Sequence, residues 1–314
     1  MKTYSRDRFV HSKRGAALMA VLWLIAILAI ASMTALRVVF YDVDISVSKN
    51  EGSRAGYLAE MGIAVGANPA VKRNDPILNR LDEETGEGFE VEISSEGQRF
   101  NINAIVMQGD SDLLNTLFTD WGMELEDSQA LIDALTDWID EDDEASLNGA
   151  EVEDYEAEGL INQPFNRPFY ALEEVRLVRG MKQLEALRPD WRDWFTVWSS
   201  GQLDLNDAPA ELIAIAAECP IELAELVVES VCGDDTIRDT EDDLPFSDIA
   251  AALDILGLDP EADAEIVSRL TVNDPVTRIE SIGQTMAAKR KITVILRNRT
   301  GRPALLERTE EIIP

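Results

Sequence analysis

Histidine, cysteine and basic side chains are all scarce in this chain of 314 residues. The one histidine, His11, lies ahead of an apolar run near the N-terminus, which argues against a Ser/His/Asp triad, a Cys/His pair or a multi-histidine zinc site. The two cysteines, Cys219 and Cys232, are too few for a disulfide scaffold or a four-thiolate metal site. Few of the side chains on which common enzymes depend are therefore present.

Positive charge is outweighed more than twofold, because 28 Lys and Arg residues face 60 Asp and Glu residues and leave a net charge of −32 at pH 7. Such an excess of carboxylates repels the phosphates of DNA and RNA, which disfavours nucleic acid as a partner. Hydrophobic residues make up 46% of the chain, which is enough to form cores, and its length predicts about two or three domains.

The 22 residues from Gly15 to Leu36 carry no charge of either sign. A helix of that length is about 33 Å long, and the hydrocarbon core of a membrane is roughly 30 Å thick. The leader before this run carries one acidic residue and five basic residues: Lys2, Arg6, Arg8, Lys13 and Arg14. By the positive-inside bias we expect a single membrane span, with the leader in the cytoplasm and the acidic bulk of the chain on the other side.

A cleaved secretory signal peptide is the main alternative, because Ala29-Ile30-Ala31 fits a small-residue cleavage site. The apolar run is longer than a usual signal sequence, however, and the helical pattern continues beyond it. Apolar residues recur at helical spacing along one face, and the first proline after the run is Pro69. The members of this face are Leu36, Val39, Phe40, Val43, Val47, Ala55, Leu58, Ala59 and Ile63. We therefore predict one helix from about Ala16 to Ala67.

The start of this helix resembles the class III leader of type IV pilins and type II secretion pseudopilins. The resemblance rests on Lys13-Arg14-Gly15 followed directly by the apolar sequence from Ala16 to Leu24. It implies that a prepilin peptidase cleaves between Gly15 and Ala16 and that Ala16 is then N-methylated. It also implies that the apolar helix packs into the core of a filament anchored in the bacterial inner membrane, with the globular part in the periplasm.

The fifth residue of the implied mature chain is Ala20, where most members of the family carry glutamate. This departure and the length of the chain resemble the minor pseudopilin K family of the type II secretion system. The resemblance implies a structural subunit at the filament tip that helps export folded proteins and is not an enzyme. It also implies three sets of partners: minor pseudopilins of the I and J types, bound through the Leu36–Ile63 helix face, the prepilin peptidase, and the inner-membrane secretion platform.

Strand patterns at both ends of the globular region predict an α+β, pilin-like fold. Phe89, Val91 and Ile93 alternate, a turn follows, and Phe100 and Ile102 alternate again, which indicates a hairpin. Alternation near the C-terminus, at Ile292, Val294 and Leu296, predicts a strand that completes a small antiparallel sheet on the long helix. The expected divisions are the leader 1–15, the membrane part 16–36, pilin-like segments 37–103 and 272–314, and a helical insertion.

The insertion, residues 104–271, contains a weak internal repeat. Phe100-Asn101-Ile102-Asn103-Ala104 and Leu203-Asp204-Leu205-Asn206-Asp207-Ala208 both place Asn or Asp where a side chain caps the next helix. We expect two units, 104–200 and 201–271, that resemble SAM-like or helix-hairpin-helix modules. A membrane-anchored DNA-binding or DNA-uptake protein is the alternative, but the hairpin at 218–222 carries Glu218 and Glu222 where phosphate contacts need glycine and lysine.

The strongest chemical signal is the segment from Asp137 to Glu158, which has 11 acids and no base in 22 residues. With Asp140 as position one, oxygen side chains recur close to the register of a calcium loop, although Ala145 replaces the glycine of that motif. A solvated loop is the alternative. The segment also resembles the calcium loop of the K pseudopilins. The predicted Ca²⁺ ligands are Asp137, Asp140, Asp142, Glu144, Glu151 and Asp154.

Three further features leave alternatives open. The second acidic run, 234–243, is an exposed loop in the favoured interpretation and another ion site in the other. Outside the cytoplasm we expect a disulfide between Cys219 and Cys232, with free thiols as the alternative. Paired carboxylates such as Asp140 and Glu151 are also compatible with a hydrolase, although the sequence indicates no aromatic-lined cleft to support one.

Overall fold

The computed structural model describes the backbone of residues 13–313 and the side chains from Leu18 onward. Most of the predicted leader, residues 1–12, lies outside this range, as do the side chains at the predicted cleavage bond between Gly15 and Ala16. Helix α1, Lys13–Gly66, runs for 54 residues without a break and confirms the long helix expected from the sequence.

Two parts of α1 have different surroundings. From Leu18 to Asn50 its side chains are exposed, and this apolar part is long enough to cross a membrane. From Glu51 onward one face of the helix packs on a sheet, with Ala55 and Ala59 fully buried. The globular part of the protein is thus attached to the last four turns of the helix.

The sheet is built from both ends of the globular region, as the sequence predicts. Its five antiparallel strands lie in the order β1-β2-β7-β8-β9, so β2 pairs with a strand that follows it by about 190 residues. Two further parallel pairs, β3 with β4 and β5 with β6, lie outside this sheet. The strands are β1 Asn79–Leu81, β2 Gly88–Ser95, β3 Phe100–Asn101, β4 Phe195–Thr196, β5 Leu203–Asp204, β6 Leu270–Thr271, β7 Val276–Gln284, β8 Lys289–Arg297 and β9 Ala304–Ile313.

Small residues allow α1 to lie directly against β2 and β7. A Cβ atom at Gly62 would lie 2.1 Å from Ser281 Oγ, and one at Gly66 would lie 2.7 Å from a methyl carbon of Ile279. On the sheet side, a Cβ atom at Gly283 would lie 2.0 Å from the carbonyl oxygen of Ala55. The core beneath the helix is apolar and consists mainly of Phe89, Val91, Ile93, Ile279, Ile292 and Val294.

The hairpin predicted for residues 89–102 is not formed. Strand β2 pairs with β1 and β7, while Phe100 and Asn101 pair in parallel with Phe195 and Thr196. Asn101 then caps the next helix, because its Oδ1 accepts a hydrogen bond from Ala104 N at 3.1 Å, and Ile102 is already helical. The capping signal therefore outweighs the alternation of Phe100 and Ile102.

Two helical units lie between β2 and β7. The first is closed by the pair β3 and β4 and the second by the pair β5 and β6. One apolar core, which includes Trp138, Leu117 and Ile213, runs through both units. The helices are α2 Ile102–Gln108, α3 Ser111–Asp120, α4 Leu125–Ile139, α5 Val152–Ala157, α6 Leu172–Val175, α7 Met181–Leu187, α8 Ala210–Ala216, α9 Ile221–Cys232, α10 Ile249–Leu256 and α11 Ala264–Ser268.

The expected disulfide is also absent, since Cys219 and Cys232 are both free thiols. Cys219 precedes α9 and Cys232 is its last residue. The 12 residues of α9 form a helix about 18 Å long at 1.5 Å per residue, whereas a disulfide requires Cα atoms roughly 4.4 to 6.8 Å apart. Spacing in sequence alone suggested the bridge, and the straight helix between the two thiols prevents it.

Candidate functional site in the acidic loop

The acidic loop connects the end of α4 at Ile139 to the start of α5 at Val152. Its anchor is Asp137, which is fully buried on the last turn of α4. The Asp137 carboxylate accepts hydrogen bonds from Ser146 N at 3.1 Å and from Ala150 N at 2.9 Å, so the loop folds back onto the helix. Gly149 is required beside it, because a Cβ atom there would lie 1.9 Å from Asp137 Oδ2.

Glu151 is buried and Asp140 half-buried beside this anchor, and both have carboxylate oxygens without partners. Glu151 is only 6% exposed and forms a capping box with Asp154 at the start of α5, but neither of its carboxylate oxygens accepts a well-formed hydrogen bond from the described residues. The Oδ1 atom of Asp140 is also buried and accepts no hydrogen bond from the described residues. Burial, and then the nearby carboxylates of Asp137, Asp140 and Asp143, raise the pKa of Glu151 from 4.5 to about 7.

The pKa of Asp140 is raised as well, first by burial and then by Asp142 and Asp137. Unpaired carboxylates held together in this way are costly unless they bind protons or a cation. The carboxylates of the loop therefore repel one another, and a bound cation would reduce that repulsion.

Two amide side chains near the loop escaped the sequence analysis. Asn166 Nδ2 donates to the carbonyl oxygen of Asp142 at 2.9 Å and to Asp143 Oδ1 at 3.2 Å. These bonds hold the loop formed by residues 162–168 against the acidic loop. The Oδ1 atom of Asn166 is buried and accepts no hydrogen bond from the described residues, and the same holds for the Oε1 atom of Gln163. The sequence Asn162-Gln163-Pro164-Phe165-Asn166 indicated only a loop, and its closeness in sequence to the acidic run was the one available signal.

The remaining predicted ligands have other roles. Asp142 Oδ1 accepts from Glu144 N at 2.9 Å, and the Glu144 side chain is exposed. Asp154 accepts from Glu151 N at 3.2 Å and forms a salt bridge with Arg179 at 3.1 Å. The structure thus places Asp137, Asp140 and Glu151 near one another, although not close enough together to hold one metal ion. Asp142 and Asp154 accept hydrogen bonds from the backbone, and Glu144 is in solvent.

The free oxygens of this site have the chemistry of a calcium site. Asp140, Glu151, Gln163 and Asn166 offer only carboxylate and amide oxygens, the hard ligands that Ca²⁺ prefers in shells of about six to eight at roughly 2.3 to 2.6 Å. Among the described residues, no three or more His, Cys, Asp or Glu side chains lie close enough together to hold a metal ion. The donors fit Ca²⁺ by type, and a closed shell would require the loop to contract around the ion.

The second acidic run is arranged differently. Asp242 Oδ2 accepts hydrogen bonds from Asp234 N at 2.9 Å and Asp235 N at 3.2 Å, and Asp243 Oδ2 accepts from Asp239 N at 2.6 Å. These carboxylates are satisfied by the backbone of their own loop. No buried carboxylate oxygen of the loop is left without a partner among the described residues.

The exposed part of α1 offers a second candidate surface. The side chains of Leu36, Val39, Phe40, Val43 and Val47 are each more than half exposed. We call these five residues the α1 stripe. The expectation that the free face extends to Ile63 is wrong, because Ala55 and Ala59 are buried against the sheet and Ile63 packs on the same core.

The hairpin between α8 and α9 lacks the features of a phosphate site. Glu218, which lies in this hairpin, is exposed and accepts a hydrogen bond from Arg269 Nη1 at 2.8 Å. Its carboxylate adds negative charge at the position where a DNA-binding hairpin presents backbone amides to phosphate. The geometry gives no support to the DNA-binding alternative.

Comparison with known proteins finds one family that part of the chain resembles. Residues 98–189 match the family model described as type II secretion system (T2SS), protein K. Type II secretion system protein K from Klebsiella pneumoniae is 35% identical over 91 residues, which cover 26% of this chain and 28% of that protein. The chain thus matches little more than a quarter of the length of this relative.

The fold itself has a solved counterpart. A chain in the crystal structure of the GspK-GspI-GspJ complex from the enterotoxigenic Escherichia coli type 2 secretion system has a TM-score of 0.60 and 14% identity, and the match covers 87% of this chain and 99% of that one. The shared architecture is the long helix, the antiparallel sheet and the helical units. Residues 98–189, which hold α2 to α7 and the acidic loop, are thus similar in sequence to type II secretion system protein K, and the chain as a whole shares its fold with a chain of that crystal structure.

Proposed function

We propose that this chain is a minor pseudopilin that caps the tip of the periplasmic pseudopilus and so helps export folded proteins across the outer membrane. The observation that carries the proposal is the division of α1: its first part is apolar and wholly exposed, and only its last turns pack on the globular body. Such a helix buries its apolar surface in a membrane or against other helices. The membrane is the bacterial inner membrane, with the N-terminus in the cytoplasm and the globular part in the periplasm.

Position at the tip follows from residue 20 and from the size of the insertion. A filament core of packed helices is apolar, so an N-terminal amine inside it needs a carboxylate from a neighbouring subunit. Ala20 cannot supply that carboxylate. The two helical units between β2 and β7 would also obstruct a subunit stacked above. Both features favour one copy at the end of the filament.

The α1 stripe is the surface through which this subunit binds its neighbours. The crystal structure that shares its fold contains a complex of GspK with GspI and GspJ, which supports minor pseudopilins of the I and J types as partners. The stripe lies along one face over three turns, as in helix pairs that pack in parallel. The prepilin peptidase and the inner-membrane secretion platform act on the membrane part of the same helix.

The test is to co-express the full chain with full-length I-type and J-type pseudopilins and to purify the assembly in detergent. We expect one copy of each, measured by light scattering. Val43→Glu, in the stripe, should reduce recovery of the complex about tenfold or more, because it places a charge in an apolar interface. Tyr41→Glu changes an even more exposed residue on another face of α1 and should leave assembly intact. Assembly of this chain alone into filaments would contradict the proposal.

We further propose that the acidic loop binds Ca²⁺. The support is the set of buried oxygens without partners on Asp140, Glu151, Gln163 and Asn166. A bound ion would join the acidic loop to the 162–168 loop and fix their positions relative to α4. Its contribution is charge neutralisation and structural order, and no reaction step depends on it.

Calcium binding is measured by isothermal titration of the chelator-treated full chain. Ca²⁺ should raise the melting temperature, because a ligand that binds only the folded state stabilises it. Asp140→Ala combined with Glu151→Ala should abolish that rise, and Asn166→Ala should weaken it. Leu147→Ala, at a loop position that is 95% exposed, is the control and should keep the full response. No heat of binding at millimolar Ca²⁺ would show that the loop is only a solvated charge run.

A further inference from the structure

Strand β9 forms a long, open edge of the five-stranded sheet. It has ten residues and pairs with β8 alone, whereas β1 at the opposite edge has three residues. On the outer side of β9 the backbone groups form no hydrogen bond with any other part of the chain that the structure describes. A row of unpaired N–H and C=O groups is a template on which a further strand pairs.

The two faces of β9 differ in their surroundings. After a bulge opposite Ile295 and Leu296, alternate residues point to opposite sides of the sheet. Arg308 and Glu310 lie on the side of α1, where they pair with Glu60 and Arg290. Glu307, Thr309 and Glu311 lie on the other side, along the rim of a cleft of about 560 Å³.

This cleft lies between the sheet and the first helical unit and is acidic. Its four basic residues are all engaged in ion pairs. Arg278 Nε lies 2.7 Å from Glu96 Oε2, and Lys291 Nζ lies 2.5 Å from Glu280 Oε2. Arg99 lies 3.8 Å from Glu96, and Arg192 pairs at 3.2 Å with Glu185 outside the cleft. In contrast, five carboxylates that line it form no salt bridge with the described residues: Glu92, Glu173, Asp193, Glu307 and Glu311. Of these, Glu307 accepts a hydrogen bond from Trp198 Nε1 through one carboxylate oxygen.

A second copy of the chain fits this edge poorly. Residues 304–313 carry three glutamates and one arginine, and the whole chain has a net charge of −32. Antiparallel pairing of two β9 strands would set carboxylates against carboxylates, which is unfavourable across strands. Charge complementarity selects a partner with the opposite sign.

We propose that β9 accepts an extended segment of a basic partner protein as a sixth strand. Lysine or arginine side chains at every second position of that segment would project into the cleft beside Glu307 and Glu311. Backbone pairing supplies affinity, and the spacing of the carboxylates supplies selectivity. This binding mode is independent of the α1 stripe and of the proposed position at the tip.

The test uses the purified full chain in neutral detergent and two synthetic eight-residue peptides. One alternates lysine with threonine or valine, and the other has glutamate in place of each lysine. Hydrogen–deuterium exchange by mass spectrometry should show slower exchange of residues 304–313 with the lysine peptide only. Glu311→Lys should weaken binding of the lysine peptide by about fivefold or more, because a cross-strand attraction becomes a repulsion.

Glu310→Lys is the matched control, because it makes the same charge change one residue away on the opposite face and should alter affinity less than twofold. Equal loss in both variants would mean that the peptide is attracted only by net charge, and this would overturn the proposal. Protection that omits β9, equal protection by the glutamate peptide, or no binding at millimolar peptide would overturn it as well. So would light scattering that shows the chain occupying this edge with a second copy of itself.

Discussion

Asn103 and Asn206 make the same pair of hydrogen bonds in the two helical units. Asn103 Oδ1 accepts from Phe169 N at 2.8 Å, and its Nδ2 donates to the carbonyl oxygen of the same residue at 3.0 Å. Asn206 Oδ1 accepts from Phe246 N at 2.8 Å, and its Nδ2 donates to the Phe246 carbonyl at 3.0 Å. Each asparagine lies near the start of its unit. Its two hydrogen bonds hold the segment that follows the acidic loop of that unit.

We predict that Asn206→Ala lowers the free energy of unfolding of the full chain by about 1 to 3 kcal/mol, because two half-buried backbone groups of Phe246 lose their partner. Asn103→Ala should cost a similar amount. Chemical denaturation in detergent, followed by tryptophan fluorescence, measures both. Asn50→Ala, on the exposed part of α1, should change stability by less than about 0.5 kcal/mol.

This relationship shows what the sequence could and could not predict. The repeated step of an apolar residue followed by Asn or Asp located the start of both units. It caps the next helix only in the first unit, where Asn101 caps α2, because α8 in the second unit begins after Pro209 without a side-chain cap. The partners Phe169 and Phe246 lie 66 and 40 residues away along the chain, and no local pattern indicates them. The same limit applies to β2, whose true neighbour β7 is distant in sequence, so that a hairpin with Phe100 looked more favourable.

The acidic loop was predictable by composition and only partly by residue. Charge and spacing identified Asp140 and Glu151, and the resemblance to the calcium loop of the K pseudopilins added Asp137. The structure places these three carboxylates near one another. Gln163 and Asn166 could not be assigned, since an amide in a loop has no distinctive pattern until the chain folds. The predicted disulfide between Cys219 and Cys232 is wrong for a similar reason. The 12 intervening residues would bring the two thiols together only if they formed a loop, and they form a helix instead.

Glu151 should make stability depend on pH when Ca²⁺ is chelated. Burial raises the pKa of Glu151 to about 7 from an ordinary value of 4.5, so the folded state holds this proton more tightly than the unfolded state. The resulting stabilisation is present below about pH 4.5 and is lost as the pH rises through about 7.

We therefore expect the melting temperature of the chelated full chain to fall across this interval. Glu151→Gln removes the titrating group and should flatten that part of the profile. Thermal denaturation at a series of pH values measures the effect. A wild-type profile that matches the Glu151→Gln profile would contradict the assignment.

Arg299 should be needed to hold the long helix on the sheet. Its guanidinium donates to the carbonyl oxygens of Gly66 at 2.7 Å, Asn68 at 2.9 Å and Val71 at 2.7 Å. The last turn of α1 has no basic residue of its own, so Arg299 caps the carbonyl of the last helical residue, Gly66, and holds the segment 68–71 that follows the helix.

Arg299→Ala should reduce the free energy of unfolding by about 1.5 to 3 kcal/mol, the usual range for hydrogen bonds to a charged group. It should also speed amide exchange in residues 60–71. Arg302→Ala removes an exposed arginine from the same turn between β8 and β9 and should have little effect on either quantity. Equal effects of the two variants would show that net charge, and not the cap, is responsible.

The N-terminus of the mature chain should be Ala16. Helix α1 runs without interruption through Ala29, Ala31 and Ser32, so a signal peptidase site there would lie within a continuous helix. A prepilin peptidase cuts instead at the boundary between the basic leader and the apolar run, at Gly15.

Intact-mass spectrometry of the chain extracted from membranes after co-expression with the peptidase separates the two possibilities. We expect a mature chain that begins at Ala16 and carries one added methyl group, and we expect Gly15→Val to leave the leader attached. Ala29→Val, which alters the signal-peptidase site and leaves the leader unchanged, should be processed like the wild type. A mature chain that begins at Ser32 would refute the pseudopilin mode of processing, because the apolar helix that anchors the subunit would then be lost.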